Sequence, residues 1–362
     1  MQNKVEEAKK ILLGNRKNGY TLPTNNKLYP AQWNWDSAFI ALGYSYFNLD
    51  FSITEIETLL NGQWDDGMVP HILFHEKDTS YFPNHTTWQC GKNIPSSGIT
   101  QPPVLASILS KIVEKNHLNK EQHSRIIKII KKIKKYHDWV IKFRDPNKTG
   151  LVSILHPWES GYDNSPIWDQ PMSNIKVDKN LSYKRRDLEV SNSDERPLKN
   201  DYDRYVTLKD QFRDFHYDPH KLYQISDFNV VDVGFNALFL RANKDLLSLA
   251  KNFDLNFDDL YDFVSKNENE ISKLYDDNIN DFASKDIKTG INIVVPSITN
   301  YFTLFANLEN NELNKKIIKN LKNHNINDKY YFSTIKPSHP TFEDKRYWRG
   351  PIWINCNWLI YQ

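Results

Sequence analysis

Apolar residues recur along most of this chain at helical spacing, and the alternating runs that make strands are scarce. Leu105, Ile108, Leu109, Ile112 and Val113 sit three, four, seven and eight positions on from the first of them, which is one face of a helix. The same period runs through Val5, Ala8, Ile11 and Leu12, through Phe39, Leu42 and Tyr46, and through Ile126, Ile130, Ile133, His137 and Val140. It returns in Phe235, Leu238, Phe239, Ala242 and Leu246, in Phe257, Leu260, Tyr261 and Val264 with Ile271 and Leu274, and in Tyr301, Leu304, Phe305 and Leu308 before Leu313, Ile317, Ile318 and Leu321. An all-α protein with no large sheet is expected.

These helices come in pairs with short breaks. Longer segments rich in Trp, Pro, Gly and Asp separate the pairs, at about 25–36, 61–104, 145–172 and 331–353. The alternation predicts a closed ring of helix pairs with its loops gathered at one end, where function usually sits. A further segment, about 173–230, is dense in charge and reads as a loop-rich excursion, although Tyr202, Tyr205, Phe212, Phe215 and Tyr217 predict that it packs down. At 362 residues the chain allows one large domain or two ordinary ones. No fixed-period repeat and no Gly/Ser linker divides it, so one domain over 1–362 is expected.

The net charge is +2, which argues against a nucleic-acid partner. The cluster Lys128, Lys131, Lys132, Lys134 and Lys135 interleaves with isoleucines and reads as a solvated helix face. Residues 1–15 carry mixed charge without an apolar core, unlike a signal peptide. No apolar run nears the roughly 20 residues of a membrane helix. With only Cys90 and Cys356 and no secretory signal, a cytoplasmic protein without disulfides or a zinc site is expected, and Asn84-His85-Thr86 is a chance sequon. No phosphate-cradling glycine loop, metalloprotease motif or nucleophile elbow occurs, so no cofactor and no metal is expected.

Chemistry concentrates in His156-Pro157-Trp158-Glu159-Ser160-Gly161-Tyr162-Asp163-Asn164-Ser165-Pro166-Ile167-Trp168-Asp169. A carboxyl set among apolar rings keeps its proton near neutrality and can protonate a leaving oxygen, and aromatic faces stack on the C–H side of a sugar. Irregular loops also mix Trp and Asp, so the segment alone leaves both readings open. Tyr29-Pro30-Ala31-Gln32-Trp33-Asn34-Trp35-Asp36 suits a sugar-binding wall, with Asp36 accepting from hydroxyls, and equally a helix start with buried indoles. In Trp64-Asp65-Asp66-Gly67-Met68-Val69-Pro70-His71 the Asp-Gly pair is a turn signal, and His71 points into a cleft or satisfies the core. Gln101, at the edge of Ser97-Gly98-Ile99-Thr100-Gln101-Pro102-Pro103, is suited to a substrate hydroxyl. Arg349, in Tyr347-Trp348-Arg349-Gly350-Pro351-Ile352-Trp353, can contact a carboxylate or pair with one of the chain's own acids.

Taken in order, Gln32–Ser37, Gly98–Pro103, Glu159–Pro166 and Tyr347–Trp353 resemble glycoside hydrolase family 63, and within it the mannosylglycerate hydrolase-like branch. Asp201–Tyr205 and Asp232–Ala237 resemble that branch too. The motifs are short but span most of the chain; trehalases and glycogen-debranching glucosidases are more distantly similar. The resemblance implies an (α/α)6 toroid and an inverting hydrolysis, in which an acid protonates the glycosidic oxygen and a carboxylate roughly 6.5–9.5 Å away activates water. It assigns the acid to Asp163, with Trp158, Tyr162 and Trp168 keeping it protonated. Glu159 becomes a sugar-binding residue and the second candidate for the acid. Tyr29, Trp33, Trp35, Asp36, Gln101, Trp158, Tyr347, Trp348, Arg349 and Trp353 are implied to bind substrate.

The family's base is a Glu beyond the Tyr347–Trp353 motif. The sequence stops at Gln362, so this base has no counterpart and Glu343 does not match it. The expectation is a toroid incomplete at its C-terminal end, with little or no activity and with exposed apolar sides that favour association into homo-oligomers. The implied substrate is a small α-linked sugar such as mannosylglycerate or glucosylglycerate. A trehalose-type or oligosaccharide substrate, or a non-catalytic sugar-binding role, is the alternative. Sugar epimerases on similar toroids use His pairs, and the histidines here do not cluster.

Overall fold

The computed structural model describes residues 2–24, 28–190, 192–324 and 331–362. Two compact units emerge. One comprises Met1–Val140, Tyr183–Ser191 and Ala242–Phe257, the other Ile141–Ser182, Asn192–Arg241 and Asp258–Gln362. No helix among the described residues is long and apolar enough to cross a membrane.

In the first unit, helices Asn34–Ser45 and Leu49–Asn61 pack on each other. Asn48 joins them, its side chain accepting from the Phe51 N–H at 2.9 Å, which caps the second helix. The buried face of the first helix is Ala38, Ala41 and Tyr44, not the Phe39–Leu42–Tyr46 stripe. Small residues let a neighbouring backbone come close, so the alanines face inward. Tyr46 lies exposed under the Lys115 ammonium, 3.0 Å from its ring centroid. The helix Gln2–Asn15 forms as its periodicity predicts, yet Val5, Ala8 and Ile11 stay exposed. The lysine cluster lies on helix Lys120–Arg144 and satisfies carbonyls: Lys132 Nζ donates to Leu60 O at 3.0 Å and Lys135 Nζ to Asp65 O at 2.6 Å. Asn84 of the sequon is itself a cap, its Oδ1 accepting from the Thr86 N–H at 2.9 Å.

The second unit carries helices Lys199–Asp214, Pro219–Ile225, Asp259–Ser272, Asn311–His324 and Ile354–Ile360. A small antiparallel sheet orders Ser153–Ile154, Val230–Val231, Ser284–Asp286 and Asn292–Ile293, with Ser153 opposite Val231, Val230 opposite Asp286 and Ser284 opposite Ile293. Strands this short clasp loops together rather than form a layer. The excursion stays largely irregular up to Leu198, then becomes the 16-residue helix Lys199–Asp214. Tyr202, Tyr205, Val206, Leu208, Lys209 and Phe212 line that helix's buried face. Its many charges sit on the other face and mask the stripe in the sequence. Tyr217 is buried as expected, whereas Phe215 is exposed.

Candidate active site

Pro157–Ser160 folds as a single 3₁₀ turn. His156 begins it: Nδ1 accepts from the Trp158 N–H and the Nε2–H donates to Tyr205 O, both at 3.0 Å. Burial pushes this imidazole down to about 3, so the ring is neutral and can fill both roles at once. Gly161 ends the turn at φ +80°, a left-handed conformation that glycine adopts without strain. The Tyr162 N–H then donates to Ser160 Oγ at 3.0 Å, and the Trp168 indole N–H to Tyr162 O at 2.9 Å. Asp163 sits next on this pinned backbone, half-buried. Its carbonyl accepts the Tyr205 hydroxyl at 2.6 Å.

Two of the three rings expected around the acid, Tyr162 and Trp168, pack on each other. Tyr162 stacks on Trp168 at 5.7 Å and meets Trp348 edge-on at 6.0 Å. Its hydroxyl donates to buried Asp232, which also accepts from the Phe235 N–H at 2.8 Å and Ser284 Oγ at 3.0 Å. Burial, followed by the Asp232 charge, holds the Tyr162 phenol well above its usual range. The Asp232–Ala237 motif is therefore scaffolding: Gly234 passes so near Tyr162 and Thr299 that a Cβ would lie 2.7 Å from the tyrosine hydroxyl. Asn236 exchanges hydrogen bonds with the Val152 backbone at 2.8 and 2.9 Å.

Glu159 does not face a ligand. It is fully buried, with Oε1 accepting from Arg144 Nη2 at 2.5 Å and Oε2 from the Leu155 N–H at 2.8 Å. This corrects the expectation that it contacts sugar, and it removes the second candidate for the acid. The motif acid is consumed by a buried guanidinium that lies fifteen residues upstream. Trp158 likewise packs inward, against His156 at 4.5 Å and Tyr205 at 5.6 Å.

Asn164, Ser165 and Trp168, just after Asp163, line a cavity of about 240 Å³ together with Asp169, Asp201, Arg204, Tyr205, Glu343, Arg346 and Arg349. Arg349 is held by a fork of two 2.8 Å bonds to Asp169 and by Glu343 at 2.9 Å. Of the two readings its sequence left open, the structure takes the ion pair. Arg346 binds Glu343 at 2.5 Å and Arg196 O at 2.8 Å. Arg204 is less engaged: it lies 4.0 Å from Asp201, and its buried Nε has no hydrogen-bond partner among the described residues. Burial and then the Asp169 charge raise the Asp201 carboxyl, against the pull of Arg349 and Arg204. The sequence singled out Asp201–Tyr205 as a motif without giving its residues a role; Arg204 and Tyr205 line the cavity because the helix Lys199–Asp214 presents them there. Trp348 is buried and stacks on Trp353 at 4.1 Å, while Tyr347 O accepts the Trp353 indole N–H at 3.0 Å. These rings brace the loop that carries Arg349.

The remaining expected residues lie in the first unit. Trp33 gathers Tyr29 at 5.1 Å, Tyr81 at 5.7 Å and His71 at 6.4 Å, all edge-on. Asp36 is half-buried at the helix start, and desolvation pushes its carboxyl up to about 6. Gln101 Oε1 accepts the Trp35 backbone N–H at 3.1 Å, and both residues are buried. Through this bond Gln101 holds the helix start. Beneath them Glu55 accepts from Ser37 Oγ at 2.7 Å and Gln32 Nε2 at 3.0 Å, and burial pushes it up to about 7. Among the described residues no group of three or more His, Cys, Asp or Glu is arranged to hold a metal ion.

The family model of the mannosylglycerate hydrolase MGH1-like glycoside hydrolase domain matches residues 29–362. A mannosylglycerate hydrolase of Thermus thermophilus is 40% identical over 357 residues, covering 98% of this chain and 86% of that protein. A glucosylglycerate hydrolase of Mycolicibacterium hassiacum is 28% identical over 354 residues, covering 92% and 79%. Crystal structures of the GH63 mannosylglycerate hydrolase from Thermus thermophilus, with Tris and with Tris and D-glycerate, each give a TM-score of 0.94 at 39% identity, covering 98% of this chain and 85% of theirs. The chain belongs to the mannosylglycerate hydrolase-like branch of glycoside hydrolase family 63, glycosidases built on the (α/α)6 toroid.

Proposed function

We propose that the chain hydrolyses a small α-linked glycosylglycerate, mannosylglycerate first and glucosylglycerate second, with inversion at the anomeric carbon. The observation that carries this reading is a cavity that begins at Asn164, the residue after Asp163, and whose wall includes the guanidinium of Arg204. A glycerate carboxylate is the anion such a donor suits. Asp163 gives its proton to the glycosidic oxygen as the C–O bond breaks. Inversion also needs a carboxylate on the opposite face to take the proton from the attacking water, a role to which none of the residues named above is assigned. Trp168 forms part of the cavity wall. Tyr29, Trp33 and Asp36 keep the sugar-binding role implied by the family resemblance. We read residues 1–362 as one catalytic domain, since a single family model runs through residues of both compact units.

The test is a panel of α-mannosylglycerate, α-glucosylglycerate, α-mannosylglycerol and trehalose, with the first-formed anomer followed by NMR. The β-anomer and a preference for the two carboxylates are expected. Asp163→Asn should abolish turnover while binding persists. Faster cleavage of trehalose than of either glycosylglycerate, or an α-anomer released first, refutes the proposal.

A further inference from the structure

We infer that Tyr205 is the positioning residue that aims the Asp163 carboxyl; the inference rests on reading Asp163 as the acid. Tyr205 grips the acid turn at both ends. Its carbonyl accepts the His156 Nε2–H at 3.0 Å where the turn begins, and its hydroxyl donates to the Asp163 carbonyl at 2.6 Å where the turn ends. Between these grips lie only Pro157 to Tyr162, and Trp158 packs its ring on Tyr205 at 5.6 Å. Tyr205 itself is buried on the helix Lys199–Asp214, an element independent of the turn. A residue that holds a short segment at both ends from outside fixes where the acid at its end points. The hydroxyl stays a donor throughout, because burial holds its proton on. Tyr205 touches the backbone of Asp163 and moves no proton of the reaction.

Aim matters only when the leaving group needs a proton. An alkoxide does, and 2,4-dinitrophenolate does not. Tyr205→Phe keeps the ring and removes the upper grip. It should lower kcat on α-mannosylglycerate about 10- to 100-fold with KM changed less than about threefold. Turnover of 2,4-dinitrophenyl α-mannoside should stay within about threefold of the parent. An equal loss on both substrates, or no loss on either, overturns the inference. His156→Ala, which removes the lower grip, should reproduce the selective loss, and His156→Gln, which keeps a donor, should largely restore it. Hydrogen exchange gives a readout that needs no turnover: the backbone amides of residues 161–165 should exchange about tenfold faster or more in Tyr205→Phe. Unchanged protection there also overturns it. Asp163→Asn separates the two ideas, since retained cleavage of α-mannosylglycerate in that variant sinks the acid assignment itself.

Discussion

Glu159→Gln distinguishes a buried clamp from a catalytic acid. Glu159 is 0% exposed and Arg144 2%, and their 2.5 Å contact is a pair removed from water. Taking the charge from one member leaves a guanidinium uncompensated in the interior, at a cost of about 3–5 kcal/mol. An unfolding entropy of about 2.1 cal/mol/K per residue over 362 residues is roughly 0.76 kcal/mol/K, so the melting temperature should fall about 4–7 °C. Arg144→Met strands the carboxylate instead and should cost a similar amount. The double variant, with no charge left, should recover most of the loss, giving a coupling of about 2–4 kcal/mol. Differential scanning calorimetry on the four proteins measures this, with turnover recorded well below every melting point. If Glu159 were the acid, its amide would leave the melting point in place and lower kcat about 10²- to 10⁴-fold. A melting temperature within about 1 °C of the parent, or losses that simply add in the double variant, refutes the clamp.

Three further outcomes are expected. Burial sets the Glu55 carboxyl at about 7 in the folded protein against an ordinary 4.5, so on raising the pH the unfolded chain ionises first and the parent loses stability between those values. Glu55→Gln escapes that loss; urea melts should show its stability relative to the parent rising by about 3 kcal/mol from about pH 4 to about pH 8, and a flat difference contradicts it. Gly161→Ala puts a side chain at φ +80° and should cost about 1–2 kcal/mol in urea melts while lowering kcat more than it raises KM. Arg349→Lys replaces the fork on Asp169 with a point charge and should cost up to about 1 kcal/mol of stability in urea melts, and unchanged stability contradicts it.

Fold class was legible because helical periodicity survives in nearly every segment, and the family motifs then gave the architecture. Facing was less legible. The stripe Phe39–Leu42–Tyr46 marks a real helix but not its buried side, since Ala38 and Ala41 win the contact by being small. The helix Lys199–Asp214 was hidden for the opposite reason: Tyr202, Tyr205 and Phe212 keep helical spacing, but the charges between them read as loop. For the site, the motif located the turn that carries Asp163, and the sequence could not say which polar groups the fold would consume. Gln101 commits its oxygen to a backbone amide, and Arg349 commits its fork to Asp169. Arg204, on the same cavity wall, has a buried Nε without a hydrogen-bond partner among the described residues.

Consumption of polar groups is also what fixes the turn. An apolar contact tolerates sliding, whereas a buried donor left without its acceptor costs about 1–3 kcal/mol. Between His156 and Trp168 the turn holds the Trp158, Tyr162 and Trp168 N–H bonds, the His156–Tyr205 bond and the Glu159–Arg144 pair at once. Any other course of this backbone would break several together. The resulting single conformation relies on residues that sequence inspection takes for chemistry: an acid, a histidine, a serine and an arginine whose bonds here run to the fold itself. Asp163 differs from Glu159 in this respect. In the same motif, four positions on, it remains half-buried while its backbone takes up the Tyr205 grip. A proton donor must present its carboxyl to a ligand and yet be unable to wander, and gripping it by the main chain meets both demands.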